Sequence, residues 1–132
     1  MHNSKRAVAL RKVMIMTIML VEDDDEARGL FAEILEREGF GVIAFSNGRD
    51  ALEHLWNEEA PSLVILDLMM PVMDGIELRS AMLQDRRLAK IPAIAVTAFD
   101  QPATAKLSLA RVFRKPVDIS ALLGLVRQHC GT

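Results

Sequence analysis

LVILDLMMPVMDG, residues 63 to 75, decides how this chain folds. Leu63, Val64, Ile65 and Leu66 form an apolar run too short for a free-standing helix, and they predict a strand buried on both faces, as in a parallel sheet flanked by helices. The run stops at Asp67, after which Pro71 and the Asp74-Gly75 pair force the chain to turn. In an open parallel sheet the carboxyl ends of the strands face the functional crevice, so a carboxylate at the strand end projects into it. Taken alone, Asp67 serves equally well as a cap for the next element. Its distant partners must decide.

Working outward, the same alternation recurs on both sides. Upstream, Met14 to Val21 reads as a buried strand ending at Glu22-Asp23-Asp24-Asp25, and Ala27, Leu30, Phe31, Ile34 and Leu35 then recur at helical spacing up to Glu38. Gly39 and Gly41 end that helix, Gly41 to Phe45 is a short strand, and a second helix follows with Ala51, Leu52, Leu55 and Trp56 on one face. Downstream of Asp67, a helix from about Gly75 to Leu83 leads to a fourth strand, Ile91 to Val96. A short amphipathic piece around Ala103 to Leu109, a fifth strand at Val112 to Arg114 and a closing helix from Val117 to Gln128 complete the chain. Five strand-then-helix units imply an α/β fold, a doubly wound parallel sheet with helices on both faces and right-handed crossovers. At 132 residues the expected strand order is the flavodoxin-like 2-1-3-4-5, since a barrel needs eight units.

Composition narrows the class of function. The chain is 51% hydrophobic and 26% charged, which excludes a disordered or fibrous protein and fits one soluble domain. Sixteen Lys+Arg against 18 Asp+Glu give a formal net charge of -2, no reason to invoke nucleic acid or a membrane surface. The longest apolar stretch, Val13 to Val21, is interrupted by Thr17 and too short for a membrane span. Cys130 has no partner for a disulfide, consistent with a reducing compartment. Residues 1 to 13, with Lys5, Arg6, Arg11 and Lys12, read as a basic extension ahead of the domain. His2, His54 and His129 read as solvated surface.

The predicted topology makes the first and third strands neighbours, which brings Glu22 and Asp23 beside Asp67. Three carboxylates sharing one crevice repel one another and call for a cation or a proton. An all-oxygen site of this kind suits Mg²⁺, and the absence of nearby His and Cys argues against zinc. Strand four ends at Thr97, a hydroxyl, and strand five at Lys115-Pro116, an ammonium. An acidic cluster, a hydroxyl and a lysine thus stand at successive strand ends along one edge.

LVEDDDEAR, VILDLMMPVMDG, AVTA and RKPVD, spread over residues 14 to 130, resemble the receiver domain of bacterial two-component response regulators, the family of the chemotaxis protein CheY. The resemblance implies a cytoplasmic, phosphorylation-controlled signalling switch rather than an enzyme acting on other molecules. It makes Asp67 the phosphoacceptor, served by the phosphohistidine of a sensor histidine kinase or a histidine phosphotransfer protein. Asp23 would bind Mg²⁺ directly, Glu22 mainly through water, and the Met69 backbone carbonyl would complete the protein ligands with Asp67. Thr97 and Lys115 would each take a phosphoryl oxygen. Signalling would run through protein contacts or onward phosphorelay, as a monomer or a phosphorylation-dependent dimer, with no output domain after the receiver. A fragment of a larger response regulator or hybrid histidine kinase would read alike; an aspartate-nucleophile phosphatase is disfavoured because Met69 stands where a second acid is wanted.

Two departures from the family pattern lie together. The position three before the lysine, usually aromatic, is Val112, while Phe113 follows it and falls on the opposite face of a strand. The stretch from Thr97 to Lys115 is also shorter than usual, which predicts a truncated or poorly ordered helix between strands four and five.

Overall fold

The structure, a computed structural model, describes residues 16–98 and 102–130, so the basic extension at residues 1 to 13 lies outside the described residues. Five strands, β1 (Thr17–Val21), β2 (Gly41–Phe45), β3 (Leu63–Asp67), β4 (Ala93–Thr97) and β5 (Arg111–Arg114), form one parallel sheet in the order β2-β1-β3-β4-β5. The helices are α1 (Asp25–Arg37), α2 (Gly48–Asn57), α3 (Gly75–Leu83), the four-residue α4 (Arg86–Ala89) and α5 (Ile119–Cys130). A 3-10 helix, Pro102–Leu107, stands between β4 and β5 where a full helix would complete the alternation. The expected shortening is therefore real. α4 was not anticipated, because four residues are too few to show a period; Asp85 caps it, accepting from the N–H groups of Arg87 and Leu88.

Period-two alternation sorts the strand residues into two cores. Met19, Val21, Val64, Leu66, Ala93 and Ala95 face α2, α3 and α4, meeting Leu55, Leu78, Met82 and Leu88. Ile18, Leu20, Leu63, Ile65, Ile94, Val96 and Phe113 face α1 and α5, meeting Leu35, Leu122 and Val126. β3 and β4 are buried along their whole length, which is why they read as continuous apolar runs. The flanking β2 and β5 are buried less and read less clearly.

The helical stripes read from the sequence are partly wrong. Leu30 on α1 is 59% exposed and Trp56 on α2 is 54% exposed, so neither belongs to a core. The period finds one side of a helix; it does not say how far the sheet beneath extends. His54, expected on solvated surface, is instead half-buried with its ring 5.3 Å from that of Phe45. Arg79 shows the opposite error. It lies on the buried side of α3 with Leu78 and Met82 and is only 2% exposed, and burial holds its pKa below the usual arginine value.

Glycine matters most where the loop after β3 returns. Gly75 begins α3 directly over the end of β3, and its N–H donates to the Leu68 carbonyl at 3.2 Å. A Cβ there would lie 2.2 Å from the Asp67 carbonyl oxygen and 2.7 Å from Leu66 Cδ1. A methyl group cannot be accommodated without moving main chain, so Gly75→Ala is predicted to lower stability by about 1–3 kcal/mol. Urea unfolding checks this: a variant as stable as the parent contradicts the close approach.

Candidate functional site

The carboxyl ends of β1, β3 and β4 place their last side chains along one edge of the sheet. β1 delivers Glu22 and Asp23, β3 ends in Asp67 and β4 ends in Thr97. Glu22, Asp67 and Thr97 are buried, at 3%, 5% and 2% exposure, whereas Asp23 is exposed. Ligand oxygens of Glu22, Asp23 and Asp67 all lie within 4.8 Å of one another, so this acidic cluster could hold a metal ion. Lys115, just past β5, reaches back into it. Its Nζ lies 2.8 Å from Asp67 Oδ2 and 3.0 Å from Glu22 Oε1.

Each group is held from behind. The Lys115 N–H donates to the Thr97 carbonyl at 2.8 Å, fixing the lysine to the end of β4, and the Lys115–Pro116 peptide is cis. The Met69 N–H donates to Asp67 Oδ1 at 3.0 Å, and the Asp24 N–H donates to Glu22 Oε2 at 3.2 Å. Asp24 also caps α1, its side chain accepting from the Ala27 N–H. The loop between β3 and α3 is tied down at its far side, where the Gly48 N–H donates to the Met73 carbonyl at 2.8 Å. Val72 within it has a φ of 69°, a left-handed conformation uncommon for a β-branched residue.

The electrostatics follow from burying two carboxylates against one ammonium. Burial pushes the Glu22 carboxyl above its ordinary value; Lys115 and the Asp24 N–H pull it down, and the Asp67 charge raises it further. Burial alone would lower the Lys115 pKa, but the hydrogen bonds and charges of Asp67 and Glu22 outweigh it and hold the ammonium above its ordinary value. The cluster is thus poised to accept positive charge.

The chain matches the response regulator receiver domain model over residues 18–127. It belongs to that family. It is 37% identical over 119 residues to an uncharacterised 14.6 kDa protein of Leptolyngbya boryana, spanning 87% of this chain and 90% of that one. It is 30% identical over 122 residues to the polar-differentiation response regulator DivK of Brucella anthropi, spanning 89% of this chain and 98% of DivK. The signal receiver domain of a signal transduction histidine kinase from Syntrophus aciditrophicus superposes with a TM-score of 0.79 at 28% identity, over 88% of this chain and 90% of that one.

Within this receiver domain, Glu22, Asp23, Asp67 and Lys115 come together, and Thr97 ends the neighbouring strand, its carbonyl accepting from the Lys115 N–H. Met69 enters through its N–H to Asp67, with its side chain 47% exposed. Val112 and Phe113 stand apart from the cluster. Val112 is 37% exposed, while Phe113 is 5% exposed in the core shared with α1 and α5 and carries the Arg111 guanidinium 4.6 Å above its ring. Two residues escaped the sequence reading. Arg28 donates from Nη1 to the Glu22 carbonyl at 3.0 Å and, at 3.4 Å, to that of Asp23, steadying the strand end that carries both acids. Its position one turn into α1, just after the five consecutive acids Glu22 to Glu26, was the available signal. Gly75 was read as half of a turn, and its contact with the Asp67 carbonyl has no signature in sequence.

Replacing Lys115 with Met leaves Glu22 and Asp67 without their shared cation. The variant is predicted to be less stable by about 1–3 kcal/mol near neutral pH, discounting for the partial exposure of the ammonium. With its counter-charge gone, Glu22 titrates higher still in the folded state than in the unfolded one. Folding then takes up a proton, so the deficit shrinks as pH falls through that range. Urea unfolding at about pH 8 and about pH 5 checks the sign; a deficit that grows toward acid contradicts it.

Proposed function

We propose that this chain is a phosphorylation-controlled signalling switch in which Asp67 accepts a phosphoryl group from the phosphohistidine of a sensor histidine kinase or a histidine phosphotransfer protein. The observation that carries this reading is the near-complete burial of the Asp67 carboxylate within 2.8 Å of Lys115 Nζ, beside two further carboxylates. A carboxylate oxygen of Asp67 bonds to phosphorus as the phosphorus–nitrogen bond to the donor imidazole breaks, and that nitrogen keeps the bonding electron pair and takes a proton. Phosphoryl transfer asks the protein for positioning and charge rather than covalent help. Lys115, already against Asp67, takes one phosphoryl oxygen, and the Thr97 hydroxyl at the neighbouring strand end donates to another.

The donor set is all oxygen and crowded with negative charge, which fits Mg²⁺ rather than a softer metal. Glu22, Asp23, Asp67 and the Met69 carbonyl would hold it, Glu22 mainly through water. When bound, the ion would supply positive charge to the phosphoryl oxygens, adding to that of Lys115. The transfer alters only the chain's own Asp67, and the altered surface then acts on another protein or the phosphoryl group passes to another histidine. Similarity to the receiver of a histidine kinase supports the second route as well as the first. No helix among the described residues is long and apolar enough to cross a membrane.

The test is incorporation of phosphate from a small phosphodonor with Mg²⁺, followed by intact mass. The parent is expected to gain one phosphoryl group, and Asp67→Asn or removal of the divalent ion to reduce the rate by at least about 100-fold. Undiminished labelling of the Asp67→Asn variant would place the acceptor elsewhere.

A further inference from the structure

α3 is a short rod engaged at its start and at its middle. At its start Gly75 lies against the Asp67 carbonyl, and Asp74 and Glu77 close a capping box that fixes the first turn. One turn on, Arg79 turns its guanidinium away from solvent and donates three hydrogen bonds to main chain: Nε to the Leu107 carbonyl at 2.9 Å, Nη1 to the Ile91 carbonyl at 3.0 Å and Nη2 to the Ser108 carbonyl at 3.1 Å. Leu107 ends the 3-10 helix, Ser108 follows with a left-handed φ of 49°, and Ile91 lies just before β4.

The last carbonyls of any helix lack donors from within that helix. Where the 3-10 helix stops, over the core that contains Leu107, the planar fork of Arg79 supplies donors that a further helical turn would have provided. β5 adds no buried side chain to that face of the sheet, since Val112 and Arg114 are exposed and Phe113 enters the other core. Side-chain packing from β5 therefore does little to join the link between β4 and β5 to the site-bearing elements. Arg79 does so directly, and it stands four residues from the glycine that touches the Asp67 main chain.

We infer that Arg79 is the strut through which a change at Asp67 reaches the link between β4 and β5, by the contact of Gly75 with the Asp67 carbonyl and of the guanidinium with Leu107 and Ser108. This rests on Asp67 being the phosphoacceptor. Arg79 is a positioning residue: it touches no reacting atom, and what it transmits is a small shift of α3 to two carbonyls at the end of the 3-10 helix.

The experiment uses beryllofluoride with Mg²⁺, an unreactive mimic of a phosphoryl group on a carboxylate, and the full chain in three forms: parent, Arg79→Met and Arg79→Lys. Fluorine NMR reports binding at Asp67, and amide hydrogen exchange reports residues Leu107 to Ala110. In the parent, beryllofluoride is expected to change exchange at those amides by about fivefold or more. Arg79→Met should bind the mimic while losing that response, and Arg79→Lys, a point charge unable to span three carbonyls, should lose most of it. Should the Met variant fail to fold, the Lys variant decides alone. A full response at Leu107 to Ala110 in a folded variant overturns the strut, and so does bound beryllofluoride in the parent with those amides unchanged. Absence of bound beryllofluoride in the parent overturns the phosphoacceptor reading itself, and the strut with it.

Discussion

One ammonium between two buried carboxylates is the constraint on which the rest of the structure depends. Glu22 and Asp67 are among the few polar side chains taken out of water among the described residues, and Lys115 reaches both. Isolated carboxylates at such depth would protonate or pull the strand ends apart. Holding them in place requires the strand ends that carry Glu22, Asp67 and Lys115 to stay in register. That requirement explains the full burial of β3 and β4, the tie from Lys115 N–H to the Thr97 carbonyl, and the glycine that lets α3 begin directly over Asp67.

The two cores divide the work unequally. The face packed by α1 and α5 takes Phe113, making β5 a structural strand on that side, cross-linked further by the Arg127 to Glu38 ion pair between the two helices. The face packed by α2, α3 and α4 lies under the loop after β3 and under the short 3-10 helix, and it includes both Gly75 and Arg79 among its neighbours. Both faces are closely packed, and on the α3 side the three Arg79 hydrogen bonds add a polar seam. Packed cores resist gradual deformation, whereas three hydrogen bonds from one side chain can shift together.

Much of this was legible in the sequence because burial on both faces writes an unbroken apolar run, and the first polar residue after each run marks a strand end. Glu22, Asp67 and Thr97 are such residues, and Lys115 stands just beyond the fifth strand. Reading them as neighbours needed only the strand order, which the repeated strand-helix units imply. Leu30 and Trp56 were misplaced because helical spacing gives a direction and not the reach of the neighbouring sheet. α4 was missed because its one cue, Asp85 as a cap, is common in loops. Arg79 left a mark that went unread: a cation inside the stripe formed by Gly75, Leu78 and Met82. Its three carbonyl partners are 12 to 29 residues away in the chain, a separation no local pattern reports.

The buried guanidinium also ties two features together in descent. A chain with a full helix between β4 and β5 would satisfy the carbonyls of Leu107 and Ser108 by itself and leave the buried Arg79 charged with only the Ile91 carbonyl to accept from it. A chain that lost Arg79 first would leave the carbonyl of the buried Leu107 without its donor. Neither step is neutral alone, so the short link and the arginine are expected to be gained or lost as a pair, and a lineage holding both is confined to the short link by its own core.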